Sequence, residues 1–174
     1  MKKPPSRPDV PPRTSDNDKR RLHPDPVAVA TEMLAGPIRY RGISKHKLEP
    51  KRFALEHYAG KRGDETLCDH HAGFEPSDLA GVIPMMRRGL RAGLIGHLLQ
   101  QGRPKILWSV ARSGWIFEAR LTNAAQAEYH GYPVRPTEAI AEPVFLRFEA
   151  WVRSRGEGSD GDAARSCRNL YGFT

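Results

Sequence analysis

The sequence predicts an α+β fold in which a small antiparallel sheet carries helices on one face. Three observations predict it. The run KILWSVARSGWIFEARL, residues 105–121, holds two strand-like segments on either side of Ser113-Gly114, the pattern of a β-hairpin. Apolar residues recur at helical spacing, first at Leu90, Leu94, Ile95, Leu98 and Leu99 and later at Val144, Phe148, Trp151 and Val152. Breakers at Gly36-Pro37 and at Gly102-Arg103-Pro104 separate the periodic segments.

Taken in order, residues 1–25 are rich in proline and charge and nearly free of large apolar side chains, so they read as a disordered basic arm. Pro24-Asp25-Pro26 opens a short helix through VAVATEML. IRYRGIS, residues 38–44, alternates as a short strand does. Pro50 suits the first turn of a helix through KRFALEHYA, and 60–74 reads as a loop. Ser77 is placed to cap a helix holding Leu79, Val82, Ile83 and Met86, with Pro84 expected to kink or split it. A second helical piece is expected from about Arg88 to Gln101.

The hairpin follows. Ile106, Trp108 and Val110 share one face of its first strand; Trp115, Phe117, Ala119 and Leu121 share one face of its second. With Trp108, Trp115 and Phe117 taken as inward neighbours, Glu118 and Arg120 turn outward. A third strand over 128–134 is interrupted by Gly131 and Pro133, which suits an edge. A closing helix starts near Thr137 or Pro143 and runs to about Ser154, and 156–174 reads as a flexible tail. The expected organisation is therefore an arm (1–25), one α+β domain (26–155) and a tail (156–174).

Composition bounds the function. In 174 residues, no apolar stretch approaches the roughly 20 residues that span a bilayer, and no apolar run follows the N-terminal lysines as in a secretory signal. No membrane association and a cytoplasmic location are expected, with Cys68 and Cys167 as free thiols. The net charge of +8 favours a polyanionic partner. Arg39, Arg41, Lys45, Lys47, Lys51 and Arg52 fall in one basic stretch interleaved with Tyr40, Phe53 and Tyr58. Such cations neutralise phosphates while rings offer stacking surfaces, so these six are the candidate contacts to RNA or DNA. The plainer alternative is charge that serves solubility.

Candidate chemistry falls on the second hairpin strand and its expected neighbour. Glu118 and Arg120 share a face, and pairing with 128–134 brings His130 and Tyr132 beside them. A carboxylate, a guanidinium, an imidazole and a phenol are the groups that general acid–base work at a phosphate needs. The alternative is a half-solvated sheet face with an ordinary Glu–Arg pair. Cys68-Asp69-His70-His71 gathers ligand types, but no second Cys/His pair follows as a zinc site needs. Gly89, Gly93 and Gly96 match no phosphate-loop motif and fit close helix packing instead. No metal and no cofactor is expected.

The element order, a short strand, helices, then a hairpin with a third strand and a closing helix, resembles that of RelE/ParE-type small basic toxins over about residues 38–154. The resemblance is one of layout and implies an RNA-cleaving or RNA-binding role worked from the polar side of the sheet. It implies that Arg120 stabilises phosphate charge, that His130 or Glu118 moves protons, and that Arg39 and Arg41 hold the RNA backbone. Helices before a hairpin also fit a winged-helix DNA-binding module, which would work through Arg91 and the turn residue Arg112; its helix from Leu90 to Leu99 is largely apolar for a groove reader. A non-enzymatic interaction protein with a basic contact surface is the third class.

Overall fold

In the computed structural model, which describes residues 19–63 and 65–174, the predicted hairpin is the centre of the chain. It is formed by β4 (Ile106–Val110) and β5 (Ile116–Asn123). Before it come α1 (Val27–Ala35), β1 (Arg39–Tyr40), α2 (Cys68–Ala72), α3 (Val82–Arg91) and the small pair β2 (Leu99–Gln100) and β3 (Arg103–Pro104). After it come β6 (Glu128–Pro133), α4 (Ala141–Arg155) and α5 (Gly158–Tyr171). The fold is α+β, as expected. The main sheet has four strands in the order β1-β6-β5-β4. It is mixed and not purely antiparallel, because β1 runs parallel to β6.

The hairpin register corrects one expectation. Trp108 pairs with Glu118 and Ile106 with Arg120, so even-numbered residues face even-numbered ones across the ladder. Paired residues point to the same side of a sheet. Trp108 therefore shares its face with Glu118 and Arg120, while Phe117 lies on the opposite face; Trp115, just before β5, packs with the Trp108 cluster against Tyr171. The inward set inferred from the sequence mixed the two faces, since alternation fixes each strand alone and the turn fixes their relation.

Helices cover both faces, not one. Ile106, Trp108, Val110 and Ile116 pack with Val144, Phe145 and Phe148 of α4 and Cys167 and Tyr171 of α5. Leu107, Ala119 and Tyr129 pack with Met33, Val82, Met86 and Leu90 on the opposite side. Every residue of β4 is buried, as expected of a strand sandwiched between layers.

The expected helix from Arg88 to Gln101 is also corrected. Helix α3 ends at Arg91, and Gly93 takes a positive φ of 70°. Leu94 to Gly96 then run along the free edge of β4: Trp108 N–H donates to the Leu94 carbonyl at 2.8 Å and Gly96 N–H to the Ile106 carbonyl at 2.7 Å. The apolar run satisfies the edge of the sheet and enters the core as extended chain, which periodicity alone cannot tell from a buried helix. Pro84 sits in the first turn of α3, where it leaves the helix unbroken. Pro50–Phe53 forms only one tight turn, stopped by Ala54 at φ 56°.

Gly89 shows how closely α3 approaches the sheet. A Cβ there would lie 2.1 Å from the Trp108 carbonyl oxygen, a backbone atom. Gly89→Ala gains at most about 1 kcal/mol of helix propensity and forces an overlap that typically costs about 1–3 kcal/mol. The variant is expected to have a lowered Tm; an unchanged or raised Tm would contradict this packing.

The C-terminal segment expected to be a flexible tail is helix α5. Glu157 and Asp160 form a reciprocal capping box at its start. Ala163, Cys167 and Tyr171 form its buried stripe, and Tyr171 Oη accepts from the Ile116 N–H at 3.0 Å and donates to the Val134 carbonyl at 2.6 Å. Its Gly and Ser residues disguised the i, i+4, i+8 spacing. At the other end, residues 1–18 of the expected arm lie outside the described residues. Those that follow are packed: Leu22 bridges Gly96, and His23 N–H donates to the Ile95 carbonyl at 2.7 Å. Among the described residues no helix is long and apolar enough to cross a membrane. Cys68 and Cys167 are free and buried.

Candidate functional site

The β5–β6 ladder sets Glu118 opposite Tyr132 and Arg120 opposite His130. All four sequence-predicted residues are thereby brought to one place on one face. There the chain segments before β6 and after it wall an open cleft of about 630 Å³, lined by Lys45, His46, Arg120, His130, Tyr132 and Arg135 among others.

Glu118 lies beneath this cleft, with its side chain fully buried. Its Oε2 accepts from Trp108 Nε1 at 3.0 Å and from Arg20 Nε at 2.8 Å; its Oε1 accepts from Arg120 Nε at 2.9 Å and Tyr132 Oη at 2.5 Å. Arg20 also reaches Glu138 at 2.7 Å. Burial by itself would raise the Glu118 carboxyl, but the Arg20 guanidinium, the Tyr132 hydrogen bond and Arg120 outweigh it and hold the group below its ordinary range. A carboxylate with both oxygens engaged by four donors is a fixed anchor. Glu118 orients Arg120 and Tyr132, and the expectation that it turns outward is corrected.

The two imidazoles of the cleft lie against each other. The His46 and His130 rings stack with centroids 5.7 Å apart and planes 10° apart, and the Tyr132 ring lies 4.6 Å from that of His46. His46 Nδ1 is 3.3 Å from the Thr66 carbonyl oxygen, an acceptor, so this nitrogen carries the proton and Nε2 keeps the lone pair. Burial, and then the charge of His130, lowers His46 to about 4. Burial, then Arg120, Lys45 and Lys47, also lowers His130. The Nδ1 of His130 is buried without a hydrogen-bond partner.

The loop that delivers His46 is held from below. The Asp69 carboxylate accepts the backbone N–H groups of Leu48 at 2.8 Å and Glu49 at 2.9 Å. Thus the Cys68-Asp69-His70-His71 segment works as scaffold: Cys68 Sγ is 3.5 Å from the Gly131 carbonyl, and His71 Nδ1 accepts the Leu67 N–H at 2.9 Å. Among the described residues no three His, Cys, Asp or Glu side chains converge as a metal site requires.

The basic stretch divides. Lys45 lines the cleft with its side chain 43% exposed and its ammonium 3.4 Å from Glu65. Lys47 is 1% exposed, with its ammonium 5.1 Å and 5.5 Å from the Phe53 and Phe74 ring centres. A cation enclosed in that way cannot meet a phosphate, so its place among the nucleic-acid contacts is corrected. Arg39, Arg41, Lys51 and Arg52 are exposed outside the cleft, and Arg52 is paired with Glu49 and Glu75. The winged-helix layout also loses its groove-reading helix, because the chain after Arg91 turns at Ala92 and Gly93 and runs extended from Leu94 to Gly96, buried throughout.

Sequence reasoning missed His46, Arg135, Glu138 and Arg20. The signal for His46 was its place in Lys45-His46-Lys47, where it read as part of a charge run. Arg20 lay in a segment that reads as disordered. Comparison with protein-family models, with curated proteins and with solved structures gave no match.

Proposed function

We propose that this basic domain associates with RNA and cleaves it at the cleft, with His46 accepting a proton from the attacking hydroxyl and His130 donating one to the leaving oxygen. The stacked pair of imidazoles in a cleft rimmed by Lys45, Arg120 and Arg135 carries the reading. Two proton-transfer groups and fixed cations are what phosphodiester transesterification needs without a metal. Neutral His46 takes the proton of the ribose 2′-hydroxyl, whose oxygen bonds to the adjacent phosphorus. The bond from phosphorus to the 5′-oxygen breaks, and that oxygen leaves with a proton from His130. The products are a 2′,3′-cyclic phosphate and a 5′-hydroxyl. Arg120, oriented by Glu118, and Lys45 stabilise the charge that gathers on the phosphoryl oxygens. RNA cleavage is the role implied by the toxin-like element order; the proton-moving groups differ, and Arg39 and Arg41, implied there to hold the backbone, lie outside the cleft.

The roles follow from the two environments. The more strongly lowered imidazole, His46, is the base, and His130 is the acid. A bound phosphate raises His130 toward its protonated form. Activity needs His46 neutral, hence pH above about 4, and His130 protonated, hence pH below its lowered value. A pH profile of kcat/KM on a dinucleotide is expected to be bell-shaped with its optimum on the acid side of neutrality. A profile that climbs steadily from pH 6 to pH 9 would contradict these assignments.

A further inference from the structure

Four arginines gather on a second concave surface that shares no lining residue with the cleft. Arg88 and Arg91 come from the last turn of α3, Arg112 from the hairpin turn and Arg155 from the end of α4, and all line a groove of about 1120 Å³. Arg88 is paired with Asp160 at 3.3 Å and donates to the Val110 carbonyl, yet its Nε has no partner. Arg91, Arg112 and Arg155 have no ion pair or hydrogen bond among the described residues and are exposed. Arg88 is close enough to feel two of them: burial first, and then the charges of Arg112 and Arg91 against the opposing Asp160, lower its proton affinity.

The carboxylates of the same groove are already engaged. Asp78 accepts the Glu75 N–H at 2.8 Å in a capping box, and Asp160 accepts the Glu157 N–H at 2.9 Å in another while also holding Arg88. The groove thus offers three unpaired guanidinium groups beside three carboxylates, Asp78, Glu157 and Asp160, each already bound to backbone N–H in a helix cap. Its floor includes the half-buried rings of Phe117 and Trp151. Planar forks match phosphate oxygens, and exposed ring faces accept bases. Solvated arginines with no ligand are the ordinary condition of a protein surface. Convergence of four on one concave, ring-bearing groove sets these apart.

We infer that this groove is a second binding surface for single-stranded RNA, holding backbone phosphates on Arg88, Arg91, Arg112 and Arg155 at a distance from the cleaved bond. It rests on the RNA reading of the cleft for the identity of the polyanion. Arg91 and Arg112 are the residues a winged-helix reading singled out; here they act without a recognition helix.

The test uses the full chain, a fluorescently labelled oligouridylate of about 20 nucleotides and anisotropy across a salt series. Arg91→Gln with Arg112→Gln is expected to weaken binding by about tenfold or more and to reduce the salt slope by about 1.4, the value for two lost single-strand phosphate contacts. Cleavage of a dinucleotide, too short to reach the groove, is expected to be unchanged in the same variant. Oligouridylate binding that is unaltered by the double substitution overturns the groove, whether or not the cleft cleaves RNA. Groove-dependent binding with no cleavage by the unaltered protein supports the groove and overturns the reading of the cleft. Equal affinity for polyglutamate at matched charge overturns RNA as the occupant and reassigns the groove to an acidic protein. Circular dichroism of the variant confirms that the loss is not one of folding.

Discussion

Replacement of His130 by alanine is expected to slow RNA cleavage by about 10²–10⁴-fold, the usual contribution of one positioned acid or base. Its backbone lies on β6, whose register with β5 does not depend on the ring. The ring is only partly buried and its Nδ1 makes no hydrogen bond, so little stability is at stake. A change in Tm of less than a few degrees is expected beside the large kinetic loss. His46→Ala is expected to produce a loss of similar size, and the double variant little more than either alone, because the proposed mechanism places the two groups in one proton circuit. His46 also touches Thr66 and Tyr132, so its variant is the less clean of the two. Single-turnover rates on a defined oligoribonucleotide decide the matter. Cleavage at the original rate by His130→Ala would remove this residue from the mechanism.

Loss of the Glu118 carboxylate is expected to be the most destabilising change to a polar residue in the site. Glu118→Ala leaves Arg20, with a side chain 11% exposed, without its main anion, and strips Trp108 Nε1 and Tyr132 Oη of their acceptor. Breaking a buried ion pair from one side costs about 3–5 kcal/mol, or about 10 °C in Tm for a chain of this size. Glu118→Gln keeps the shape and one acceptor oxygen, so its loss is expected to be smaller. The folded-state carboxyl lies below its unfolded value, so its contribution is present above the unfolded pKa and is lost as pH falls through the folded one. A mildly acidic optimum for cleavage thus falls where the anchor is still ionised. Thermal melts of wild type and Glu118→Gln from pH 3 to pH 7 are expected to converge only at the acid end. Curves separated by a constant interval down to pH 3 would contradict the anchor.

The sequence carried the hairpin, the third strand and the closing helix because each has a period or a breaker that no neighbour overrides. It misplaced what depends on partners. Leu94 and Ile95 have helical spacing with Leu90 and Leu98, yet they lie extended because the edge of β4 needs hydrogen-bond partners. The stripe at Ala163, Cys167 and Tyr171 was hidden among glycine and serine, and its helix is held by capping and by the Tyr171 hydroxyl. The grouping of Glu118, Arg120, His130 and Tyr132 was legible from period two and the assumed pairing. That Glu118 is an anchor was not legible, since Arg20 reaches it from a segment 98 residues earlier in the chain. His46 is the more instructive case. Nothing in Lys45-His46-Lys47 distinguishes one half-buried cation at the cleft, one cleft imidazole and one enclosed ammonium; the Asp69 contacts and the two phenylalanines make that distinction.

In the proposed mechanism, two imidazoles move protons at a phosphodiester bond whose nucleophile is the neighbouring 2′-hydroxyl. Phosphorus NMR of an oligoribonucleotide incubated with the protein in the presence of a chelator tests it most directly. The expected result is the signal of a 2′,3′-cyclic phosphate, abolished when the nucleotide at the cut carries a 2′-deoxyribose. An intact oligonucleotide, or cleavage that proceeds equally well at the deoxyribose, would contradict it.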